Sequence, residues 1–301
     1  MAIGLITPND QGKTMVEDVT NFITNISYQT TPFYSSIGES QAQNTLHSWL
    51  TDSYASSADN AQSEGYTTTY TDPVVPSRSP NIVQLFGKDI RVSNTEMRVA
   101  HYGMRDPYSY QLEKKMVELA RDIEKALIAG TTASGNSGVA RRLNGAIALI
   151  TTNKTARSSG TSLSEVEFND ILQGVFDSGT DVNVDKAFTG ASLKRAISGY
   201  TAGSTKFTYA EGKRLYNTVG IYESDFGVVA LFLEREVPTT AGNKGILMVD
   251  SSKWRTAYLI DGRPQHIPMG LQGSAKVGIV ETELTLEALN EASSAYRAGY
   301  L

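Results

Sequence analysis

Residues 40–80 read SQAQNTLHSWLTDSYASSADNAQSEGYTTTYTDPVVPSRSP. Leu46, Leu50, Val74 and Val75 are the only aliphatic side chains larger than alanine in this stretch, and Arg78 is its one basic residue. With so little apolar surface to bury, it cannot form a compact unit of its own. Yet Thr45, His47, Trp49 and Thr51 alternate with Leu46, Ser48, Leu50 and Asp52, which is the period of a strand. YTTTYT at 66–71 also has high β-propensity. The segment therefore reads as two strands joined by a polar tip at about residues 54–64, a long hairpin that leaves the globular body. His47, Ser48 and Asp52 carry the letters of a serine hydrolase, but on one strand His47 and Asp52 lie on opposite faces.

Toward the N-terminus, TTPFYSSIG contains Pro32, which forces Thr31 to be extended and stops any preceding helix. Before it, TMVEDVTNFITNIS places Met15, Val16, Val19, Phe22, Ile23 and Ile26 on one helical face. That helix is too short to hold together alone in water, so its apolar stripe must dock on something.

Toward the C-terminus, NIVQLFGKDIRVS returns to a buried, strand-like pattern. Next comes DPYSYQLEKKMVELARDIEKALIAG, with Asp106 as N-cap, Pro107 at the first helical position and Gly130 where a C-cap glycine stands. Tyr108, Leu112, Met116, Leu119, Ile123 and Leu127 form one stripe in steps of three and four. Glu113, Lys114, Glu118, Arg121, Asp122 and Lys125 form the opposite, solvated or interface face. The helix spans ~35 Å at 1.5 Å per residue. Residues 131–162 are loop-rich apart from an apolar segment at 146–150. Two amphipathic helices follow, SLSEVEFNDILQGVFDSG and ASLKRAISGY. Strands are expected in TVGIYESDFGVVALFLEREVP, GILMVDSSKWRTAYLIDGRP and AKVGIVETELTLEAL, with a break at NEASS. The order of elements makes the chain mixed α+β, without an internal repeat.

Composition narrows the function. The 301 residues include no cysteine, which removes disulfides, thiolate metal sites and cysteine nucleophiles. A net charge of −5 without a basic run disfavours sequence-reading of duplex DNA, which needs many phosphate contacts. No apolar run approaches the ~20 residues of a membrane helix, and MAIGLITPNDQGK is not a secretory signal. The expectation is a soluble protein made in the cytoplasm. Fifteen tyrosines supply amphipathic surface suited to strands and interfaces.

The catalytic and metal motifs do not hold up. DQGKT at 10–14 lacks the first glycine of a phosphate loop, since Thr7 stands there. SDFG at 224–227 appears without the rest of the kinase set and reads as a turn on Asp225 and Gly227. His47, His101 and His266 are far apart, and the acids at 181 and 185 lack the glycine and glutamate of a calcium loop. Glu281, Glu283 and Glu287 read as a polar strand face. No G-x-S-x-G turn occurs. No catalytic, cofactor-binding or metal residue is expected.

From about residue 20 onward, TTPFYSSIG, NTLHSWLTDS, SEG, VSNTEM, YQLEKKMVELARDIEKALIAG, YESDFG and IVETELTLEALNEAS resemble, in order, a family of short-chain major capsid proteins of tailed bacteriophages. The resemblance implies the Hong Kong 97 capsid fold. An N-terminal arm would cover 1–36 and an extended loop 37–93. A peripheral domain would cover 94–142, with a spine helix at 107–130 whose core face is Leu112, Met116, Leu119, Ile123 and Leu127. An axial domain would cover 143–268, and 269–301 would return to the peripheral domain. It also implies self-assembly into pentamers and hexamers of an icosahedral head, put together in the host cytoplasm and enclosing double-stranded DNA by non-specific contact. A portal and possibly a cement or decoration protein would be further partners, and no membrane is involved. Phe22, Ile23, Trp49, Tyr66 and Tyr70 are the expected contacts with neighbouring subunits.

Two departures from relatives are expected. The arm begins within the first residues, which points to a separate scaffolding protein rather than a fused scaffolding segment. Residues 37–87 contain no lysine, so the loop-lysine cross-link of the founding phage is not expected. The alternatives are an encapsulin-like cargo shell and, from another class, a soluble α+β enzyme.

Overall fold

The closing apolar run, residues 275–288, becomes the strand on which one half of the molecule is built. A computed structural model of the chain describes residues 30–301 apart from 56, 69, 71, 74, 102, 180–182, 201–219 and 241. The expected arm helix with Phe22 and Ile23 lies outside the described residues. Strands β1 (Gly38–Ala42), β2 (Leu46–Thr51), β3 (Ser77–Ile82) and β4 (Gln84–Ser93) precede the long helix α1 (Pro107–Ala129). Then come α2 (Ala146–Leu149), β5 (Lys154–Thr161), α3 (Glu165–Asp177), β6 (Lys186–Thr189) and α4 (Ala191–Tyr200). The chain closes with β7 (Ile221–Ser224), β8 (Gly227–Leu233), β9 (Lys244–Val249), β10 (Trp254–Leu259), β11 (Gln265–Leu271), β12 (Ala275–Ala288) and β13 (Ala295–Tyr300).

Strand β12 is paired on both edges. Antiparallel β4 follows it from Ser93 opposite Ala275 to Gln84 opposite Leu284. On the other edge β11 and β10 share its length, and β1 adds parallel to β10. The second sheet has the order β5-β13-β9-β6-β8-β7. Hairpin β2–β3 is a sheet of its own. A large core of Phe33, Ile90, Ile123, Leu127, Trp254, Leu284 and their neighbours joins α1 to both sheets, and a second core lies under α3 and α4. Fully buried Leu and Ile side chains contribute about 1.5–3 kcal/mol each, so these cores hold the fold.

The sheets divide the chain differently from the segments expected above. β10 and β11 pair with β12 rather than with the six-stranded sheet, and the last strand, β13, lies inside that sheet between β5 and β9. Strand pairing is set by long-range register, which local pattern does not carry. For the same reason β1 (GESQA) and β5 (KTARSSGT) form although neither has a hydrophobic alternation. Each borrows a parallel neighbour's backbone, β10 and β13 respectively.

α1 begins as its sequence dictates. The Asp106 carboxylate accepts the Tyr108 N–H at 3.1 Å and the Ser109 hydroxyl at 2.6 Å, and Pro107 starts the first turn. Its hydrogen bond from Ser109 comes first among the causes that hold the Asp106 carboxyl below the usual range. Leu119, Ile123 and Leu127 are buried as expected and Leu112 packs on the core's edge. Met116 is a correction, being 45% exposed: one stripe residue falls beyond the sheet's cover. Gly130 is a correction of another kind. Its φ of −59° is open to any residue, so it is not a left-handed cap. A glycine stands there because a Cβ would lie 2.3 Å from the Ala126 carbonyl and 3.0 Å from that of Leu143.

Candidate assembly surfaces

The hairpin's first strand is where the alternation places it, but its partner is not YTTTYT. β2 pairs antiparallel with Ser77–Ile82, Trp49 opposite Ser79 and His47 opposite Asn81. The described residues of 66–70 are not in a strand. β-propensity follows packing context, and no apolar face waits for the Tyr-Thr run. Pro80 is accepted because a two-stranded ribbon has free edges that need no N–H at that position. The connection between the strands therefore runs from Asp52 to Pro76, well beyond the expected tip.

The inward face fastens the hairpin base to the body. Asn81 is buried, and its amide group donates to the Asn144 and Leu286 carbonyls at 3.0 and 2.8 Å. Its carbonyl oxygen accepts the Asn144 and Ile82 N–H groups at 2.8 Å each. Trp49, 7% exposed, joins the main core, and His47 lies beside it with ring centroids 6.0 Å apart. The hydrolase letters do not converge. His47 Nε2 is 4.0 Å from Glu287, which is bonded to Ser40 Oγ at 2.6 Å, while the Asp52 carboxylate is exposed and accepts its neighbour Ser53 N–H. Among the described residues no group of three histidine, aspartate or glutamate side chains could hold a metal.

The outward face of the hairpin is apolar where a monomer's surface is usually polar. Leu46 and Leu50 face solvent on β2, and Tyr54, Tyr66, Tyr70 and Val75 are exposed along the connection. Of the residues expected to touch neighbours, Tyr66 and Tyr70 therefore stand free, whereas the Trp49 ring is spent on its own subunit. Leu46, Leu50, Tyr54 and Val75 were not among the contacts expected from the sequence. The signal was present in their parity: Leu46 and Leu50 oppose Trp49 in the alternation.

The base of the arm is the third surface. The turn at 31–36 hands the Phe33 and Tyr34 N–H groups to the two oxygens of Glu124 on α1, at 2.7 Å each. The Phe33 ring lies edge-on to Phe188 and Trp254. Tyr34 and Tyr258 share a 2.5 Å hydroxyl bond, and burial first, then this bond, holds the Tyr258 phenol well above its ordinary range. Lys186 Nζ donates to the Ser36 carbonyl at 3.0 Å. These contacts tie residues 33–36 to α1, β6 and β10.

A coreless hairpin, a long helix laid across one sheet, a second sheet and a turn at 31–36 bonded to that helix fit the Hong Kong 97-like class of capsid fold that the solved neighbours share. The chain belongs to the SU10 major capsid protein family, whose model matches residues 6–299. That is a structural family, not an enzyme family. Over 111 residues the chain is 39% identical to the major capsid protein of Escherichia phage Phieco32, a match covering 36% of this chain and 32% of that relative. The capsid of a native GTA particle superposes with a TM-score of 0.66 at 12% identity, all of each chain being covered. The SrpI encapsulin of Synechococcus elongatus PCC 7942 gives 0.60 at 12% identity, with 99% of this chain and 96% of that one covered. Among the described residues no helix is long and apolar enough to cross a membrane.

Proposed function

We propose that this chain is the major capsid subunit of a bacteriophage head, assembling with itself into the pentamers and hexamers of an icosahedral shell around double-stranded DNA. The observation that carries the reading, beyond the family, is the apolar outer face of the hairpin: Leu46, Leu50, Tyr54 and Val75 are exposed among the described residues. A neighbouring subunit supplies that cover, and Tyr66, Tyr70 and the arm residues Phe22 and Ile23 join the same contacts. Many modest interfaces then replace disulfides as the source of rigidity. The acidic chain meets DNA weakly and without reading sequence. A separate scaffolding protein, a portal and a cement or decoration protein complete the particle, put together in the host cytoplasm.

The test is negative-stain microscopy of the purified chain, alone and with its scaffolding partner. Closed shells or hexameric rings are the expected result, and a compact monomer under all conditions would sink the reading. Mature particles boiled in detergent are expected to run as a single monomer band, because the hairpin has no lysine to cross-link. The encapsulin likeness raises a second reading, a cargo shell; particles filled with a co-purifying enzyme rather than nucleic acid would favour it.

A further inference from the structure

Strand β1 closes one side of the five-stranded sheet. It pairs with β10 in unbroken register, from Gly38 opposite Arg255 to Ala42 opposite Leu259. Among the described residues no strand pairs with its other edge. Such an edge presents a row of backbone donors and acceptors to any extended segment, and proteins usually blunt it with a proline, a lysine or a bulge. β11, another outer strand of the sheet, is blunted by Pro268 and by a register shift between Pro268 and Gly270. GESQA in β1 carries none of these devices.

An open cleft of about 750 Å³ lies against the same strand, lined by Glu39, Ser40 and Gln41 and, across from them, by Arg263 and Gln265. Successive strand residues point to opposite faces, so a cleft that touches three in a row runs along the edge rather than over one face. Its far wall is braced: Arg263 Nη2 donates to Glu39 Oε2 at 2.7 Å, and the guanidinium lies 5.2 Å from the centre of the Tyr258 ring. These polar side chains suit a strand that carries hydroxyls better than an aliphatic one. The chain contains such a strand former without a partner. YTTTYT at 66–71 has no charge, proline or glycine and high β-propensity. Its described residues lie outside any strand, with Tyr66, Thr68 and Tyr70 exposed. The N-terminal stretch MAIGLITPNDQG is less suited, since it brings Ile3, Leu5 and Ile6 together with Pro8 and two glycines.

We propose that YTTTYT of a second copy adds as a strand to the open edge of β1, its hydroxyls meeting the polar side chains of the cleft. Main-chain hydrogen bonds hold the added strand, and its alternate side chains select it. The proposal rests on the self-assembly reading and gives it one segment and one edge.

The chain has no cysteine, so engineered disulfides report the contact directly. A disulfide needs Cβ atoms within about 4.5 Å. Thr68→Cys is combined in turn with Glu39→Cys, Ser40→Cys and Gln41→Cys, and, as the control, with Leu271→Cys on the blunted edge. Assembled shells are oxidised and run in detergent without reductant. A ladder of linked multimers is expected from at least one β1 combination, and a monomer band from Thr68→Cys alone and from the control. Shells that form normally but stay monomeric in all three β1 combinations overturn the proposal and leave the shell reading standing. A disulfide closing within one chain in unassembled subunits overturns it too, by seating the segment on its own β1. A wild-type chain that never assembles sinks the shell reading and the proposal with it. If the paired variants do not assemble, hydrogen exchange of wild-type shells decides: residues 38–42 and 66–71 should both gain about tenfold or more in protection over the free subunit, and no gain at either segment overturns the proposal.

Discussion

Strand β12 and hairpin β2–β3 are both antiparallel structure, and they differ in how much of their surface the chain itself covers. β12 has β4 on one edge and β10 and β11 on the other, with α1 across its even-numbered face. Phe86, Ile90, Val280, Leu284 and Leu286 are buried on that face, and Lys88 closes its rim with an ion pair to Asp122. The hairpin has one ladder of six residue pairs, and half of its apolar side chains look outward. The difference is one of supply. β12 finds partners on both edges within the chain, whereas the hairpin leaves Leu46 and Leu50 exposed.

That contrast can be broken. The largest loss of subunit stability is expected for Trp254→Ala, at the first pair of β10 with β12. The indole is fully buried and donates to Ser294 Oγ at 2.8 Å. About 3–5 kcal/mol should disappear from denaturant unfolding of unassembled subunits. Asn81→Ala, at the boundary between the two regions, strips partners from two carbonyls and two N–H groups and should cost about 2 kcal/mol. Its exchange protection should fall first in β2, leaving β12 unaffected. Gly278→Ala places a methyl group 2.1 Å from the Tyr108 hydroxyl, which is bonded to His266 at 2.8 Å. The overpacking should cost about 1–3 kcal/mol, seen as a lower melting temperature. Leu50→Ser should change subunit melting by less than about 0.5 kcal/mol while lowering shell yield in sedimentation. If Leu50→Ser instead unfolded the subunit as Trp254→Ala does, the hairpin would be part of the body and the comparison would fail.

Local chemistry was legible wherever the cause was local. The start of α1 follows from Asp106 and Pro107, and α3 starts at Ser164 with a reciprocal bond to Glu167. The turn at Asp225 and Gly227 joins β7 to β8 as its residues suggest. The alternation around Trp49 marked both the strand and its inward face. Glu124 was invisible because a glutamate beside a stripe usually turns to solvent; here its neighbours Ile123, Leu127 and Ile128 carry it inward to unpaired N–H groups.

The sequence by itself determined the α+β class, the long helix, the first hairpin strand, the absence of cysteine chemistry and, through the order of its short motifs, the capsid family. Those depend on side chains acting within a few residues, or on a record of descent. Only the tertiary structure decided that Ser77–Ile82 rather than YTTTYT completes the hairpin, that GESQA and KTARSSGT become strands, that the last strand enters the six-stranded sheet, and that Glu124 turns inward to the Phe33 and Tyr34 N–H groups. Each of these is a contact between distant segments, and its free energy comes from surfaces and backbone groups that exist only once the rest of the chain has folded around them.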